Sequence, residues 1–465
     1  MEMKKGGINV STIVGVSTAP GIGGIGIIRM SGEDTFDILN KIFVPKKKQD
    51  IKEIKGYTIK YGNIVENNKI IDEVLVSYFK SPKSYTKENM CEINSHGGNL
   101  IIKKILEICL KNGAEMAEPG EFTKRAFLNG RIDLAQAESV IDIINAKSDR
   151  EAKSGIKQLE GYLSNEIKDI KQNILDVLVN IEVNIDYPEY DTPEVQKKEI
   201  KDMLENVGNK LSKLEKSFDN GKIIKDGIKT AIIGKPNAGK SSLLNAILKE
   251  DRAIVTDIAG TTRDTIEEFV TINGITLKLI DTAGIRESKN IVEKIGINKS
   301  IEQAKDADLI IAIFDCSKEL DKEDLEILKL IENKKSIILL NKSDLKNVLN
   351  EDNDLLKNKS KNILKISALN KTGLEELYNK ITEMFQLNEI NLDNDVLITN
   401  IRHKNIISKA LENVKLANKA ILDNMPIDII SIYIKQILDD LGEITGEVVT
   451  EDIINEIFSK FCLGK

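Results

Sequence analysis

The chain has few of the residues from which metal centres and disulfide frameworks are built. Its four cysteines, Cys91, Cys109, Cys316 and Cys462, are scattered over 465 residues without a CxxC pair, so neither a disulfide scaffold nor a zinc site is expected. Two histidines, His96 and His403, are too few for a site of several imidazoles, and a His-based triad has only these to draw on. No apolar run approaches the roughly 18 residues of a bilayer span, so no membrane segment is expected. The N-terminus has a basic flavour at Met1–Lys5, but Ile8 to Ala19 is broken by Asn, Ser and Thr. It reads as a strand, not as the apolar core of a signal peptide, and a cytosolic protein is expected. An excess of positive charge is also missing: 67 basic against 74 acidic residues leave a net charge of −7. That balance disfavours holding nucleic acid by bulk charge and leaves a local basic patch as the remaining route. There is no internal repeat and no low-complexity tract.

What remains is an ordinary soluble composition, 41% hydrophobic and 30% charged. At roughly 100–200 residues per domain the length predicts about three domains. The first hundred or so residues mix β-rich runs (Ser11–Val16, Ile25–Met30, Glu73–Phe79, Met90–Asn94) with helical patches at Asp34–Phe43 and Leu100–Asn112, an α+β pattern. From Leu134 to Phe218 apolar residues recur at helical spacing, as in Ile170, Ile174, Leu178 and Ile181, with Pro188 and Pro193 as punctuation around an acidic patch. From Ile228 to about Phe385 apolar strands alternate with helices, which predicts an α/β unit on a parallel sheet. Helical spacing returns from Arg402. Two helical blocks flanking an α/β unit predict one helical domain with the unit inserted into it.

The strongest motif is Gly234-Lys-Pro-Asn-Ala-Gly239-Lys240-Ser241. It fits GxxxxGK[ST], follows a strand (Ile228–Ile233) and opens a helix (Ser242–Leu248), the context a phosphate-binding loop requires. Its backbone N–H groups, through Asn237, Ala238 and Gly239 to Ser242, would cradle phosphates at a helix N-terminus. Lys240 would neutralise the β- and γ-phosphates, and Ser241 would ligate Mg²⁺. The strand Thr276–Ile280 leads into Asp281-Thr282-Ala283-Gly284, which puts an acid near the metal and a glycine N–H toward the γ-phosphate. Between them a polar loop, Thr256-Asp257-Ile258-Ala259-Gly260-Thr261-Thr262, offers Thr262 to the metal shell. A third strand ends in Asn341-Lys342-Ser343-Asp344, where a carboxylate accepts two hydrogen bonds from guanine N1–H and its 2-amino group, which adenine cannot offer. A fourth ends in Ser367-Ala368-Leu369, placed for the guanine carbonyl. In this order, each at a strand's C-terminal end, the motifs predict GTP binding over Ile228 to Phe385. Many small GTPases follow the DxxG glycine with a water-orienting glutamine, but here the position is Ile285, so hydrolysis must be arranged differently.

The flanks carry a resemblance. Gly21-Ile-Gly-Gly-Ile-Gly26-Ile-Ile-Arg29, Asn94-Ser-His-Gly-Gly98, Pro119-Gly-Glu-Phe122, Arg125-Ala-Phe-Leu-Asn-Gly-Arg131-Ile-Asp-Leu-Ala-Gln-Ala-Glu138, Leu441-Gly-Glu-Ile-Thr-Gly-Glu-Val448 and the terminal Phe461-Cys462-Leu-Gly-Lys465 closely resemble the bacterial and organellar tRNA modification GTPase family MnmE (TrmE). The resemblance implies a multidomain α/β fold: a dimerising, tetrahydrofolate-binding α+β N-terminal domain (1–125), a helical domain in two parts (126–221 and 386–465) and an inserted Ras-like P-loop G domain (222–385). It implies a homodimer that forms a heterotetramer with the FAD protein MnmG (GidA-like). Together they install an aminomethyl or carboxymethylaminomethyl group at C5 of the wobble uridine of certain tRNAs. The implied donor is 5-formyl- or 5,10-methylene-tetrahydrofolate, with Arg29, Glu92, Arg131 and Lys465 at the folate positions. It also implies a K⁺ ion in the role of an arginine finger, with Asn237, Thr256, Ile258 and Thr261 as ligands, and Glu293 orienting water.

Each flanking motif also has a plainer reading. Gly21-x-Gly-x-x-Gly26 matches a dinucleotide fingerprint but runs into a strand, not a helix, so a tight turn explains it. His96 before two glycines reads as a turn or packing residue. Glu293 without the resemblance is a solvated helix residue. Cys462 sits where a prenylated cysteine would, yet Gly464 and Lys465 are wrong for prenylation; it is either a catalytic nucleophile or a small buried side chain. Arg263 and Arg286 are rival candidates for a finger in cis. A switch GTPase of the Era or EngA type is the alternative function, but it would need a KH domain or a second G domain, and neither is visible. A FeoB-like transporter lacks its membrane spans here, and a stand-alone folate oxidoreductase lacks a flavin motif.

Overall fold

The computed structural model describes residues 11–47, 55–186, 193–248, 268–272, 274–280, 305–385 and 396–465. Two compact units emerge, Met1–Ile141 with Asp439–Lys465, and Asp142–Leu438. The first begins with β1 (Ile13–Val16), β2 (Ile25–Ser31), α1 (Thr35–Ile42), β3 (Phe43–Pro45), β4 (Thr58–Glu66), β5 (Lys69–Phe79), β6 (Met90–His96), α2 (Asn99–Lys111), β7 (Glu115–Met116) and α3 (Glu121–Leu128). Its strands form one sheet in the order β3-β4-β5-β6-β2-β1-β7, antiparallel except where β7 joins β1.

Period two along the strands decides which side chains are buried. In β2, Ile28 and Met30 pack with Ile38 and Leu39 of α1 and Ile105 and Ile108 of α2. Arg29 between them falls on the opposite face. In β6, Cys91 and Ile93 are buried in the same core, and Glu92 is on Arg29's side. Arg29 and Glu92 are direct cross-strand partners. The α+β expectation holds, and the anticipated strands and helices are present. β3 and the nine-residue β4 were not anticipated. β4 carries Ile59 and Tyr61 on the solvent side and Ile64 in the core, with Lys60 and Gly62 diluting the alternation.

The helices α4 (Leu134–Asn145), α5 (Asp149–Leu159), α6 (Tyr162–Asp186) and α7 (Pro193–Asp226) follow. Pro193 opens α7, where its missing N–H costs no helical hydrogen bond. Ile200, Leu204, Val207, Leu211, Leu214 and Phe218 form the buried stripe of α7 at three- and four-residue spacing.

The inserted α/β part contains β8 (Ile228–Gly234), α8 (Lys240–Leu248), β9 (Glu268–Ile272), β10 (Ile275–Leu279), β11 (Leu309–Asp315), α9 (Lys322–Leu330), β12 (Ser336–Asn341), α10 (Asp354–Lys357), β13 (Ile363–Lys365) and α11 (Leu374–Met384). The sheet order is β13-β12-β11-β8-β10-β9; all pairs are parallel except β9 with β10 at one edge. β8, β11 and β12 read as near-continuous apolar runs because both faces of the sheet are covered, each by its own core cluster.

Last come α12 (Ile401–Leu422), α13 (Ile427–Thr445) and α14 (Glu451–Ser459). α12 lies along α7, with Ser408 Oγ donating to Glu215 Oε1 at 2.5 Å and the Ile398 N–H to Ser217 Oγ at 3.1 Å. Helices from both sides of the insertion therefore pack together in the second unit, while the stretches up to Ile141 and from Asp439 belong to the first. In the first unit α14 sets Ile454 and Phe458 against Ala126, Leu134 and Phe461.

Candidate functional site

β8 lies between β11 and β10, and its C-terminal end delivers the phosphate-loop residues to the edge of the parallel sheet where ligands of such folds bind. The loop turns through two left-handed residues, Asn237 (φ 66°) and Gly239 (φ 108°). Asparagine tolerates this region better than most residues, whereas a Cβ at Gly239 would collide with the side-chain amide of Asn341. α8 then starts on Lys240 itself, two residues earlier than the sequence suggests. Lys240 Nζ donates to the carbonyls of Gly234 (2.5 Å) and Lys235 (2.8 Å), and burial pushes its ammonium below the usual lysine range. A phosphate anion at the helix N-terminus is the natural counter-charge for a cation so placed.

Asn341 joins two loops that are far apart in sequence. Its Nδ2 donates to Ala238 O at 2.8 Å, and its Oδ1 accepts from the Ala368 N–H at 3.0 Å. The phosphate loop and the Ser367-Ala368-Leu369 loop are thereby fixed to one buried side chain. Asp344 is also held, since Ser367 Oγ donates to its Oδ1 at 2.6 Å. The serine thus aims the carboxylate proposed to read guanine. Lys342 pairs with Asp315 at 2.6 Å. Burial works against the charge of Asp315, but the Lys342 ammonium and the Ser317 hydroxyl and N–H outweigh it and hold the carboxyl below its usual range. Leu369 is exposed and Ala368 buried. Sequence reasoning missed Lys235 inside the motif, whose Nζ lies 2.6 Å from Asp321 and 2.7 Å from Asp324. Both acids belong to the start of α9, where Asp321 is a capping-box N-cap. A basic residue at a variable position of the motif gave no signal.

Thr256, Asp257, Ile258, Ala259, Gly260, Thr261, Thr262, Asp281, Thr282, Ala283, Gly284, Ile285 and Glu293, with the rivals Arg263 and Arg286, lie outside the described residues.

The second site is in the first unit. Arg29 grips Glu92 through Nε (3.0 Å) and Nη2 (2.8 Å), both to Oε1. Its Nη1 donates to Gly464 O at 3.1 Å, which also accepts from Ser17 Oγ at 3.1 Å. Residues 462–465 are thus laid against β1 and α3: Gly120 N–H donates to Cys462 O at 3.3 Å and Phe122 N–H to Lys465 O at 3.2 Å. Gly464 has φ 83°, and a Cβ there would strike the Val16 carbonyl, so the close approach needs glycine. Arg29 and Glu92, two of the positions the resemblance assigns to folate, form one ion pair on the sheet face. Arg131 reaches the same place through a ring, its Cζ 4.3 Å from the centroid of Tyr85, with Arg29 Cζ 5.6 Å from the same centroid. Tyr85 was not singled out from the sequence. Cys462 is exposed, which corrects the reading of a small buried side chain. Cys91 and Cys109 are buried, and burial pushes the Cys109 thiol up to about 12 and that of Cys91 well above its usual value. His96 is exposed, with Nδ1 2.6 Å from Asp72 Oδ1. Asp72 also accepts the backbone N–H of His96 at 2.8 Å, and His96 is the last residue of β6, paired with Ile25, which corrects the reading of a turn residue.

The family model described as the N-terminus of GTP-binding protein TrmE matches residues 12–131, and that of the MnmE helical domain matches 134–462. The tRNA modification GTPase MnmE of Acetivibrio thermocellus is 50% identical over 458 residues, 98% of this chain and 99% of its own length. Its namesake in Thermoanaerobacter pseudethanolicus is 51% identical over the same span and coverage. That of Clostridioides difficile is 49% identical over 454 residues, again 98% and 99% of the two chains. The chain belongs to the MnmE family. The helical-domain match runs across the whole α/β insertion, in agreement with the packing of α7 against α12. Among the described residues no helix is long and apolar enough to cross a membrane, and no cluster of His, Cys, Asp or Glu is suited to a metal ion.

Proposed function

We propose that the chain hydrolyses GTP with a potassium ion as cofactor and couples this to modification of the wobble uridine of tRNA. In this reading it acts as a homodimer with an FAD-bearing MnmG-like protein and takes its one-carbon unit from tetrahydrofolate. The supporting observation is the guanine-nucleotide frame: Asn341 joins the phosphate loop to the Ser367-Ala368-Leu369 loop, and Ser367 holds Asp344 ready to accept from the base.

Within this reading Lys240 meets the β- and γ-phosphates and loop N–H groups around Asn237 to Ser242 cradle them. Mg²⁺, held by Ser241 and Thr262, would neutralise charge on the phosphate oxygens. Asn237 turns left-handed at the heart of the loop, which suits a side-chain oxygen offered to a monovalent cation beside the phosphates; Thr256, Ile258 and Thr261 would complete the cage. Such a cation stabilises the charge that develops in a loose phosphoryl-transfer transition state, as an arginine would. Glu293 would orient the attacking water. For folate, Glu92 accepts from the amino and ring N–H edge of the pterin while Arg29 fixes the carboxylate from behind; Arg131 and Lys465 supply positive charge to the glutamate end. The domains are proposed at 1–125, 126–221 with 386–465, and 222–385, and the setting is the cytoplasm.

The test has two parts. GTP turnover is measured in matched potassium and sodium buffers, and wobble uridines from cells lacking the protein are analysed by mass spectrometry. Loss of turnover in sodium together with unmodified uridines is the expected pair of results. Equal rates in both salts would remove the cation and shift attention to Arg286.

A further inference from the structure

We propose that Tyr85 is a positioning residue of the folate site, its ring holding the Arg131 and Arg29 guanidinium groups at the spacing the ligand requires. The inference rests on the folate reading above.

Tyr85 lies between β5 and β6, in a segment fixed from several sides. Thr86 is fully buried, and its Oγ1 is 2.7 Å from Ser31 Oγ. Ser31 also donates to Glu88 Oε2 at 2.8 Å, and Glu88 pairs with Arg125 of α3 at 3.2 Å. The residues just past α3 clamp the same segment: Asn129 Nδ2 donates to Thr86 O at 2.7 Å, and Lys87 Nζ to Gly130 O at 2.8 Å. Arg131 is the next residue in the chain. Docking α3 onto this segment therefore brings Arg131 to the Tyr85 ring.

The ring has little freedom of its own. Its hydroxyl is 3.0 Å from Thr123 Oγ1, and its body packs on two core clusters, one with Ile13 and Phe122, the other with Ala126 and Phe458. Arg29 is 5.6 Å from the Phe122 ring as well as from that of Tyr85. Arg29 is committed to Glu92 and Gly464, whereas Arg131 is exposed. A long exposed side chain loses rotamer freedom when it grips a ligand, and an aromatic face that already holds it removes part of that cost. Quadrupole attraction supplies the hold.

Calorimetry of the full-length chain with 5-formyltetrahydrofolate tests this, with thermal unfolding of the same sample followed by circular dichroism reporting on folding of the first unit. Tyr85→Leu is expected to weaken folate binding roughly five- to thirtyfold, whereas Tyr85→Phe, which keeps the ring, should stay within about twofold. If Tyr85 acts through Arg131, combining Tyr85→Leu with Arg131→Ala costs less than the product of the two single losses. Wild-type affinity in Tyr85→Leu, or a double loss equal to that product, overturns the proposal while leaving the folate site standing. A wild-type chain that binds no 5-formyltetrahydrofolate, or Glu92→Gln binding it as well as wild type, removes the folate reading and the role of Tyr85 with it.

Discussion

The two candidate sites are built in opposite ways. The nucleotide site takes short consecutive stretches from the C-terminal ends of neighbouring parallel strands, tied together among the described residues by Asn341 between Ala238 and Ala368 and by Lys235 with Asp321 and Asp324. The folate candidate takes single side chains from β2 and β6, a residue past α3, and the carbonyl of Gly464, 435 residues from Arg29. A site of the first kind is a property of its sheet. One of the second kind exists only once distant segments have docked, so losing any one of them should disperse it.

The sharpest test of the first half of that comparison is Asp344→Asn. Removing the acceptor for the guanine edge should weaken GTP binding by on the order of 2–5 kcal/mol and turn preference toward xanthine nucleotides. Unchanged GTP affinity by fluorescence titration would mean that Ser367 aims Asp344 at something else. Next in size is Glu293→Ala, or potassium replaced by sodium at constant ionic strength. Either should lower turnover by roughly 10²–10³ while nucleotide affinity stays put, because each acts on water or on transition-state charge. Ammonium or rubidium, close to potassium in radius, should restore the rate, whereas a rate indifferent to the ion would point to an arginine.

Deleting Cys462–Lys465 probes the other half. It removes Lys465 and takes from Arg29 the Gly464 carbonyl, the latter alone one hydrogen bond to a charged group worth about 1.5–3 kcal/mol. 5-Formyltetrahydrofolate affinity should fall by about ten- to a hundredfold, with GTP affinity near wild type. Normal folate affinity in the truncated chain would show that the site closes without its last segment. The smallest effect is chemical. Iodoacetamide at neutral pH should place a single adduct, on exposed Cys462, because burial raises the thiols of Cys91, Cys109 and Cys316. Peptide mass spectrometry that finds another cysteine modified first would contradict this ordering.

The same contrast explains what could be read from the sequence. Gly234 to Ser241 is legible because a phosphate loop is a local object: its glycines, lysine and helix start are consecutive residues. That Asn341 would tie Ala238 to Ala368, or that Lys235 would pair with Asp321 and Asp324, depends on strand order, which no local pattern encodes. In the first unit the alternation of β2 and β6 shows that Arg29 and Glu92 avoid the core, but their register decides that they face one another. The folate residues came through family resemblance for that reason. Tyr85 stayed hidden because its segment has neither period, and its meaning lies in a helix that begins at Glu121.

The insertion of the α/β part into the helical stretch also has a consequence in time. α12 starts at Ile401, about 175 residues after α7 ends at Asp226. At roughly 5–20 residues per second of synthesis, the stripe of α7 that α12 covers waits about 10–35 seconds for it. During that interval β8 to α11 emerge in one continuous run and can fold as a unit. The phosphate loop, carried by β8 and α8, is therefore synthesised well before α12, and the α/β part is expected to be able to fold while α7 still lacks that partner.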